Sequence, residues 1–242
     1  MKVAIVTGSS KGIGKACALK LAKDGYTVVI NYSNSDEAAQ KVLDQVKADG
    51  GDGMLYKADV SDLEQVKKMF RDVAKAYGQI DVLVNNAGIV RDEYLLMLKK
   101  ETMDKCFDLN IKGYVYCAQQ AALKMFKKGG AIINMSSVSS KMALAGQAVY
   151  SATKGAVNSL TQTLAKELAQ YKIRVNAVAP GFIATEMIND IPQKKMDEYL
   201  KEIPAKRLGT GEDVANVVSA LASDAFSYVT GQVIVIDGGL SL

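Results

Sequence analysis

Tyr150 and Lys154 stand four residues apart in the run Ala-Val-Tyr-Ser-Ala-Thr-Lys-Gly. At helical spacing both side chains project from one face, a turn apart. Ser137 follows the apolar strand pattern Ala131-Ile132-Ile133-Asn134-Met135. A hydroxyl at a strand end, a phenol and an ammonium can converge on one small polar group. Such a trio can give a proton to, or take one from, a carbonyl or alcohol oxygen. A free phenol has a pKa of about 10, roughly three units above neutrality, at about 1.4 kcal/mol per unit. An ammonium about 4–5 Å away, at an effective dielectric of about 20, supplies roughly 3–4 kcal/mol. Lys154 is therefore expected to bring Tyr150 close to working range. The spacing alone is not specific. With 11 tyrosines in a lysine-rich chain, about one Tyr-x-x-x-Lys pair is expected by chance.

Composition narrows the chemistry further. The chain has no histidine, which removes Ser-His-Asp and Cys-His nucleophile chemistry. Cys17, Cys106 and Cys117 are odd in number and lack Cys-x-x-Cys spacing, so neither a disulfide framework nor a metal site is expected. A reducing, cytoplasmic setting follows. The opening residues are too short an apolar run for a secretion signal. No run approaches the roughly 20 apolar residues that span a bilayer, so no membrane association is expected. The net charge of +4 comes from 30 basic against 26 acidic residues. It is spread along the chain, which argues against nucleic acid and permits an acidic partner. At 242 residues, 49% hydrophobic and with three prolines, the chain reads as one α/β domain, 1–242, without a linker or repeat.

The elements that must position the trio begin at the N-terminus. Lys2 to Thr7 is a buried-strand pattern. Gly8-Ser9-Ser10-Lys11-Gly12-Ile13-Gly14 follows, then a helical pattern from Lys15 to Asp24. A glycine-rich turn between strand and helix lets backbone N–H groups approach a pyrophosphate. Its Gly-x-x-x-Gly-x-Gly spacing differs from the commoner dinucleotide fingerprint and lacks the ending of a Walker loop. Thr27 to Asn31 is the second strand. An acid at its end would hold the ribose 2′-hydroxyl of NAD. Here stand Asn31, Tyr32, Ser33 and Asn34, with no acid before Asp36. With Lys11 nearby, this end favours the 2′-phosphate of NADP.

A helix is expected from Ser35 to Asp49, capped by Ser33 or Asn34. Met54 to Ala58 is strand three, followed by Asp59-Val60. Ser61 and Glu64 form a capping-box pattern for a helix through Tyr77. Ile80 to Val84 is strand four, ending in Asn85-Asn86-Ala87-Gly88. Lys100 to Lys127 reads as one long helix. Tyr114, Tyr116 and Met125 on it are expected to pack or to meet another subunit, and Asn110 sits mid-helix, where it gains little. Strand five leads to Ser137, and the Tyr150 helix runs to about Gln170. Ile173 to Val178 is strand six. The long segment from Ala179 to Arg207 has the length of a lid or binding loop. A helix from Gly211 to Ser223 and a strand from Gln232 to Ile236 complete the pattern. Alternation of strand and helix argues a doubly wound, seven-stranded parallel sheet with helices on both faces.

Together these residues resemble the short-chain dehydrogenase/reductase family nearly end to end. The matching features are Thr7-Gly8-x-x-x-Gly12-x-Gly14, Asp59-Val60, Asn85 to Gly88, Asn110, Ser137, Tyr150-x-x-x-Lys154, Pro180-Gly181 and Thr185. Arg91-Asp92, Pro180 to Met187 and Thr230-Gly231-Gln232 with Asp237-Gly238-Gly239 are most similar to the 3-oxoacyl-(acyl carrier protein) reductase branch. Acetoacetyl-CoA, sugar and polyketide reductases share many of these residues. Lys11, where that branch often has Arg, and Glu186, where Asp is common, are departures.

The resemblance implies a Rossmann-type fold with a cofactor half of about 1–130 and a catalytic half of about 131–242. It implies NADP(H), with the glycine loop and Ser9 at the pyrophosphate. Lys11 and Ser33 or Asn34 would meet the 2′-phosphate, and Asp59 and Val60 the adenine. Asn86, Ala87 and Gly88 would line the adenosine ribose side, and Ile183 and Thr185 would touch the carboxamide. Tyr150 would be the proton donor, Ser137 would steady the substrate oxygen, and Lys154 would hold the nicotinamide ribose. Asn110 would hold a water linking Lys154 to solvent. Ser10, Ile13, Asn31, Pro180 and Gly181 complete the implied cofactor wall. A 3-oxoacyl thioester substrate, an acyl carrier protein partner and a homotetramer built on the long helices are implied as well. Lys124, Lys127, Lys128, Lys172 and Arg174 form a basic group that would meet such a carrier, or equally a solvated helix end whose cations suit the helix dipole.

Overall fold

The computed structural model describes residues 2–185 and 193–242, with the backbone alone for 193–197. Seven strands form the main sheet: β1 (Lys2–Val6), β2 (Tyr26–Tyr32), β3 (Gly53–Lys57), β4 (Val82–Asn85), β5 (Gly130–Met135), β6 (Ile173–Pro180) and β9 (Val233–Ile236). Their order is β3-β2-β1-β4-β5-β6-β9, and every pairing is parallel. This is the doubly wound, seven-stranded sheet expected. The connecting helices are α1 (Gly12–Lys23), α2 (Asp36–Ala48), α3 (Leu63–Tyr77), α4 (Lys100–Phe107), α5 (Gly113–Met125), α6 (Ala148–Leu168), α7 (Gln193–Glu202) and α8 (Gly211–Ala222).

The central strands are continuous apolar runs because both faces are covered. Successive side chains alternate between two cores. Val6, Val28 and Ile30 join Leu21, Val42 and Val218 of α1, α2 and α8. Ile5, Val29 and Leu83 join Phe70 of α3 and Cys117 and Met125 of α5. Each fully buried aliphatic or aromatic side chain contributes about 1.5–3 kcal/mol. The chain leaves β1 toward β2 on one side, while β4 pairs on the other, so the loops after β1 and β4 part. A crevice opens there at the C-terminal ends of the strands.

The expected helix from Lys100 to Lys127 is not continuous. Between α4 and α5 a π turn spans Asp108–Lys112, with the buried Asn110 in it. Such bulges recur where a side chain is needed at an angle that regular helix does not offer. The cap of α3 is Asp62, whose carboxylate accepts from the N–H groups of Glu64 and Gln65; Ser61 instead bonds Asp59. Ser35, not Ser33 or Asn34, holds the N-cap position of α2, without a side-chain bond. Among the described residues, the long segment after β6 carries short regular elements. Two-residue strands β7 (Ile183–Ala184) and β8 (Gly209–Thr210) pair in parallel, and α7 lies between them in sequence. Glu186 and Met187 lie outside the described residues.

Candidate active site

The glycine loop is held from both neighbouring strands. Thr7 Oγ1 accepts from the N–H groups of Asn86 (2.9 Å) and Ala87 (3.0 Å). Asn86 Nδ2 donates back to the carbonyls of Thr7 (2.9 Å) and Gly8 (3.0 Å). Asn31 Oδ1 accepts from Gly8 N–H at 3.3 Å, and its Nδ2 donates to the carbonyls of Tyr56 (3.2 Å) and Ala58 (3.0 Å). Gly8 has φ +61°, and a Cβ there would stand 2.8 Å from Ala87 Cα. A Cβ on Gly14 would collide with Asn86 Nδ2. Glycine is therefore required at both places by close approach, and at Gly8 by backbone angle as well.

α1 starts at Gly12 without a side-chain cap and without an acid in its first turn. Its leading N–H groups and the positive end of its dipole border the crevice, as a pyrophosphate site needs. The residues present thus fit a dinucleotide. Ser9 departs from expectation. It is fully buried, and its hydroxyl donates inward to Val6 O at 2.8 Å. It braces the loop from behind and does not line the crevice, whereas Gly8, Ser10, Lys11, Gly12, Ile13 and Gly14 do.

The crevice is a cleft of about 950 Å³ that continues past Asn31, Ser33, Asn34, Asp59, Val60, Asn86, Ala87 and Gly88. It reaches Ser137, Tyr150 and Lys154 and is closed by Pro180, Gly181, Ile183 and Thr185. At its β2 end Ser33 and Asn34 are exposed. Asp36, the first acid, is paired with Lys57 at 2.8 Å. Lys11 is exposed and belongs to no ion pair among the described residues.

Ser137 caps a short turn, and its Oγ accepts from Ser139 N–H at 3.1 Å. Burial pushes the Tyr150 phenol up to about 12, against the lowering effect of its hydrogen bond with Ser137. Lys154 is 3% exposed, and burial brings its ammonium down to about 7. Its Nζ donates to Met135 O at 2.7 Å and lies 5.6 Å from the Tyr150 ring centroid. The expected lowering of Tyr150 by Lys154 is therefore not seen. Both groups are desolvated, and desolvation drives each toward its neutral form.

Asn110 is fully buried and stands behind the cleft wall. Its Oδ1 accepts from Ile89 N–H (2.9 Å), and its Nδ2 donates to Ile89 O (3.0 Å) and Thr153 Oγ1 (3.2 Å). Thr153 Oγ1 donates in turn to Tyr150 O at 2.7 Å. Both Nδ2 hydrogens and one Oδ1 lone pair are thus engaged on protein. The side chain ties the segment after β4 to the first turn of α6.

Sequence reasoning missed a polar chain behind Ser137. Ser139 Oγ donates to Gln147 Oε1 at 2.9 Å, and Gln147 Nε2 reaches Asp92 Oδ2 at 3.4 Å. These residues come from a turn, a pre-helix position and a loop, so no periodicity announces them.

A dinucleotide cradle and a Ser/Tyr/Lys centre at the C-terminal edge of one parallel sheet define an oxidoreductase of nicotinamide-dinucleotide type. The chain belongs to the short-chain dehydrogenase/reductase family. The family model described as enoyl-(acyl carrier protein) reductase matches residues 8–241. A Staphylococcus aureus 3-oxoacyl-(acyl-carrier-protein) reductase, FabG, is 45% identical over 240 residues, covering 99% of this chain and 98% of that one. The Thermotoga maritima protein of the same name is 45% identical over 245 residues, covering 99% and 97%. Among solved structures, a doubly substituted Serratia marcescens short-chain dehydrogenase/reductase superposes with a TM-score of 0.95 at 34% identity, covering 100% of this chain and 98% of that one. A Salmonella typhimurium acetoin dehydrogenase gives 0.90 at 37% identity, covering 99% and 95%.

Proposed function

We propose that this chain reduces the 3-oxo group of an acyl thioester, 3-oxoacyl-(acyl carrier protein), to the 3-hydroxyacyl form in fatty acid synthesis, using NADPH. The observation that carries it is the juxtaposition of Ser137, Tyr150 and Lys154 on the cleft that also holds the glycine loop. The substrate comes from the activity that the curated relatives are named for.

The nicotinamide dinucleotide, when bound, supplies the hydride. The backbone of Gly8, Ser10, Gly12, Ile13 and Gly14 would hold its pyrophosphate at the start of α1. Asn31 supports that loop. Asp59, Val60, Asn86, Ala87 and Gly88 would border the adenosine, and Pro180, Gly181, Ile183 and Thr185 the carboxamide side. Ser137 donates a hydrogen bond to the substrate oxygen as charge develops there. Tyr150 gives that oxygen its proton, and a charged Lys154 makes the resulting phenolate easier to bear.

The cofactor end reads as an NADP site because the strand-end position carries Ser33 rather than an acid and Lys11 is exposed and in no ion pair among the described residues. Wild-type efficiency should be at least about tenfold higher with NADPH than with NADH. Ser33→Asp should reverse that order, because the new carboxylate repels a phosphate and accepts from ribose hydroxyls. Equal efficiency of the wild type with both cofactors defeats this reading.

The expected basic docking group does not stand beside the site of its own chain. Gly130 and Ile173 are the first residues of β5 and β6, whereas Ser137 follows the far end of β5. A six-residue strand spans about 20 Å. Lys128 and Lys172 therefore lie across the sheet from Tyr150. Arg174 is also engaged, donating to the carbonyls of Leu221 (2.7 Å) and Ser223 (3.1 Å) at the end of α8. Sequence placed these cations together but could not say at which end of the strands the chemistry lies. Arg91, exposed on the cleft wall, is a cation that an acidic carrier could meet at the site itself.

A homotetramer is part of the proposal. Tyr94, Leu95, Leu96 and Met97 are 66%, 73%, 99% and 75% exposed, and Phe107, Val115 and Leu123 of α4 and α5 add to the apolar surface. Exposed apolar groups in such number mark association surfaces. Among the described residues no helix is long and apolar enough to cross a membrane, and a cytoplasmic site of action is proposed with the function.

The deciding experiment follows nicotinamide absorbance with NADPH and matched 3-oxoacyl thioesters on acyl carrier protein and on coenzyme A, beside simple ketones. Preference for the carrier thioester, weakened by salt, is expected. Equal efficiency on simple ketones would make the protein a general carbonyl reductase.

A further inference from the structure

We propose that Tyr114 is a positioning residue for Lys154, its hydroxyl and ring forming the far wall of the socket that holds the lysine ammonium. This rests on the assignment of Lys154 to the reaction above.

Tyr114 lies just after the π turn and is 1% exposed. Its hydroxyl donates to Met135 O at 3.2 Å. Lys154 Nζ donates to the same carbonyl at 2.7 Å and reaches the Tyr114 oxygen at 3.5 Å. The ammonium stands 5.2 Å from the Tyr114 ring centroid, toward its hydroxyl end, and 5.6 Å from that of Tyr150. Because the Tyr114 proton goes to Met135, a lone pair of the Tyr114 oxygen remains for the lysine. The socket is therefore one carbonyl, one phenol oxygen and two rings. A residue that only filled core volume at this place would need no oxygen.

The titratable groups around the socket are few. Tyr150 faces it from α6, and Tyr114 and Cys117 from α5; Asp92 and Cys106 act on Tyr150. Burial raises Tyr114 and Cys117 well above neutrality, so they remain uncharged. Among the described residues Lys154 has no carboxylate partner, and its charged form is favoured by neutral dipoles and rings. The hydroxyl favours the charged form as an acceptor, and the ring favours it through cation–π attraction. Loss of either moves the lysine titration to lower pH. Charge is present below that midpoint, so reduction that needs a charged lysine fades at lower pH in the variant.

The test labels lysine with ¹³C at Cε and follows the titration by NMR. In wild type one signal should titrate near pH 7, where burial places Lys154, and that signal should vanish in Lys154→Met. In Tyr114→Phe, which keeps the ring and the packing, its midpoint should fall by about half a pH unit, roughly a threefold change in protonation ratio. Tyr114→Leu should lower it further. The upper limb of the kcat–pH profile for 3-oxoacyl thioester reduction should move down in parallel, with KM for the thioester unchanged. A Phe midpoint coincident with that of wild type overturns the proposal, as does a change in melting temperature with no change in titration. Should the wild type reduce no 3-oxoacyl thioester, the functional reading fails, and the NMR titration still decides the role of Tyr114.

Discussion

Tyr150→Phe should lower turnover by about two to four orders of magnitude while leaving dinucleotide binding nearly intact. The expected loss is that of a positioned proton donor, worth about 10²–10⁴. The ring stays, so the cation–π contact with Lys154 at 5.6 Å and the packing of the α6 start are preserved. The glycine loop is braced by Thr7, Asn31 and Asn86, none of which touches the phenol. Folding stability should change by less than about 1 kcal/mol, because the lost hydroxyl is a costly group to bury. Single-turnover reduction, in which chemistry limits the rate, is the measurement to make. A variant retaining more than about a tenth of wild-type turnover would show that Tyr150 is not the donor.

Asn110→Leu should cost about 3–5 kcal/mol of folding stability, although the branched shape is kept. Wild-type Asn110 satisfies both backbone groups of Ile89 and bonds the Thr153 hydroxyl. A leucine leaves the half-buried Ile89 groups and the buried Thr153 hydroxyl without the amide, at about 1–3 kcal/mol for each that finds no other partner. Activity should fall at least about tenfold even where the variant is folded. The segment after β4 and the α6 turn that carries Tyr150 are coupled through this amide and through Thr153. Asn110→Asp should lie between the two, since a carboxylate still accepts from Ile89 N–H but cannot donate. Urea denaturation measures the first effect and steady-state kinetics the second. A Leu variant within about 1 kcal/mol of wild type would mean that the π turn is held by something other than this side chain.

The order of the main strands and helices is set by local rules, and the sequence alone determined it, whereas the π turn at Asp108–Lys112 and the caps of α2 and α3 were not foreseen. Apolar runs bounded by glycine and polar turns specify strands buried on both faces, and the order of strand and helix leaves few topologies. The Gly8–Gly14 loop follows the first strand, and helical period places Tyr150 and Lys154 on one face whatever surrounds them. Only the tertiary structure decided what those side chains touch. The Lys154 ammonium ends on a carbonyl 19 positions away in sequence and by the hydroxyl of Tyr114, 40 positions away, both unannounced by spacing. Ser9 and Asn31 turn toward the braces of the loop, and Asn110 is spent on Ile89. The basic group at Lys128 and Lys172 falls at the opposite end of the strands from the chemistry. The physical reason is common to all of these. Periodicity is a property of the backbone, which repeats every few residues. Hydrogen-bond partners and protonation states depend on desolvation and on groups brought near from elsewhere in the chain, and these exist only once the layers have packed.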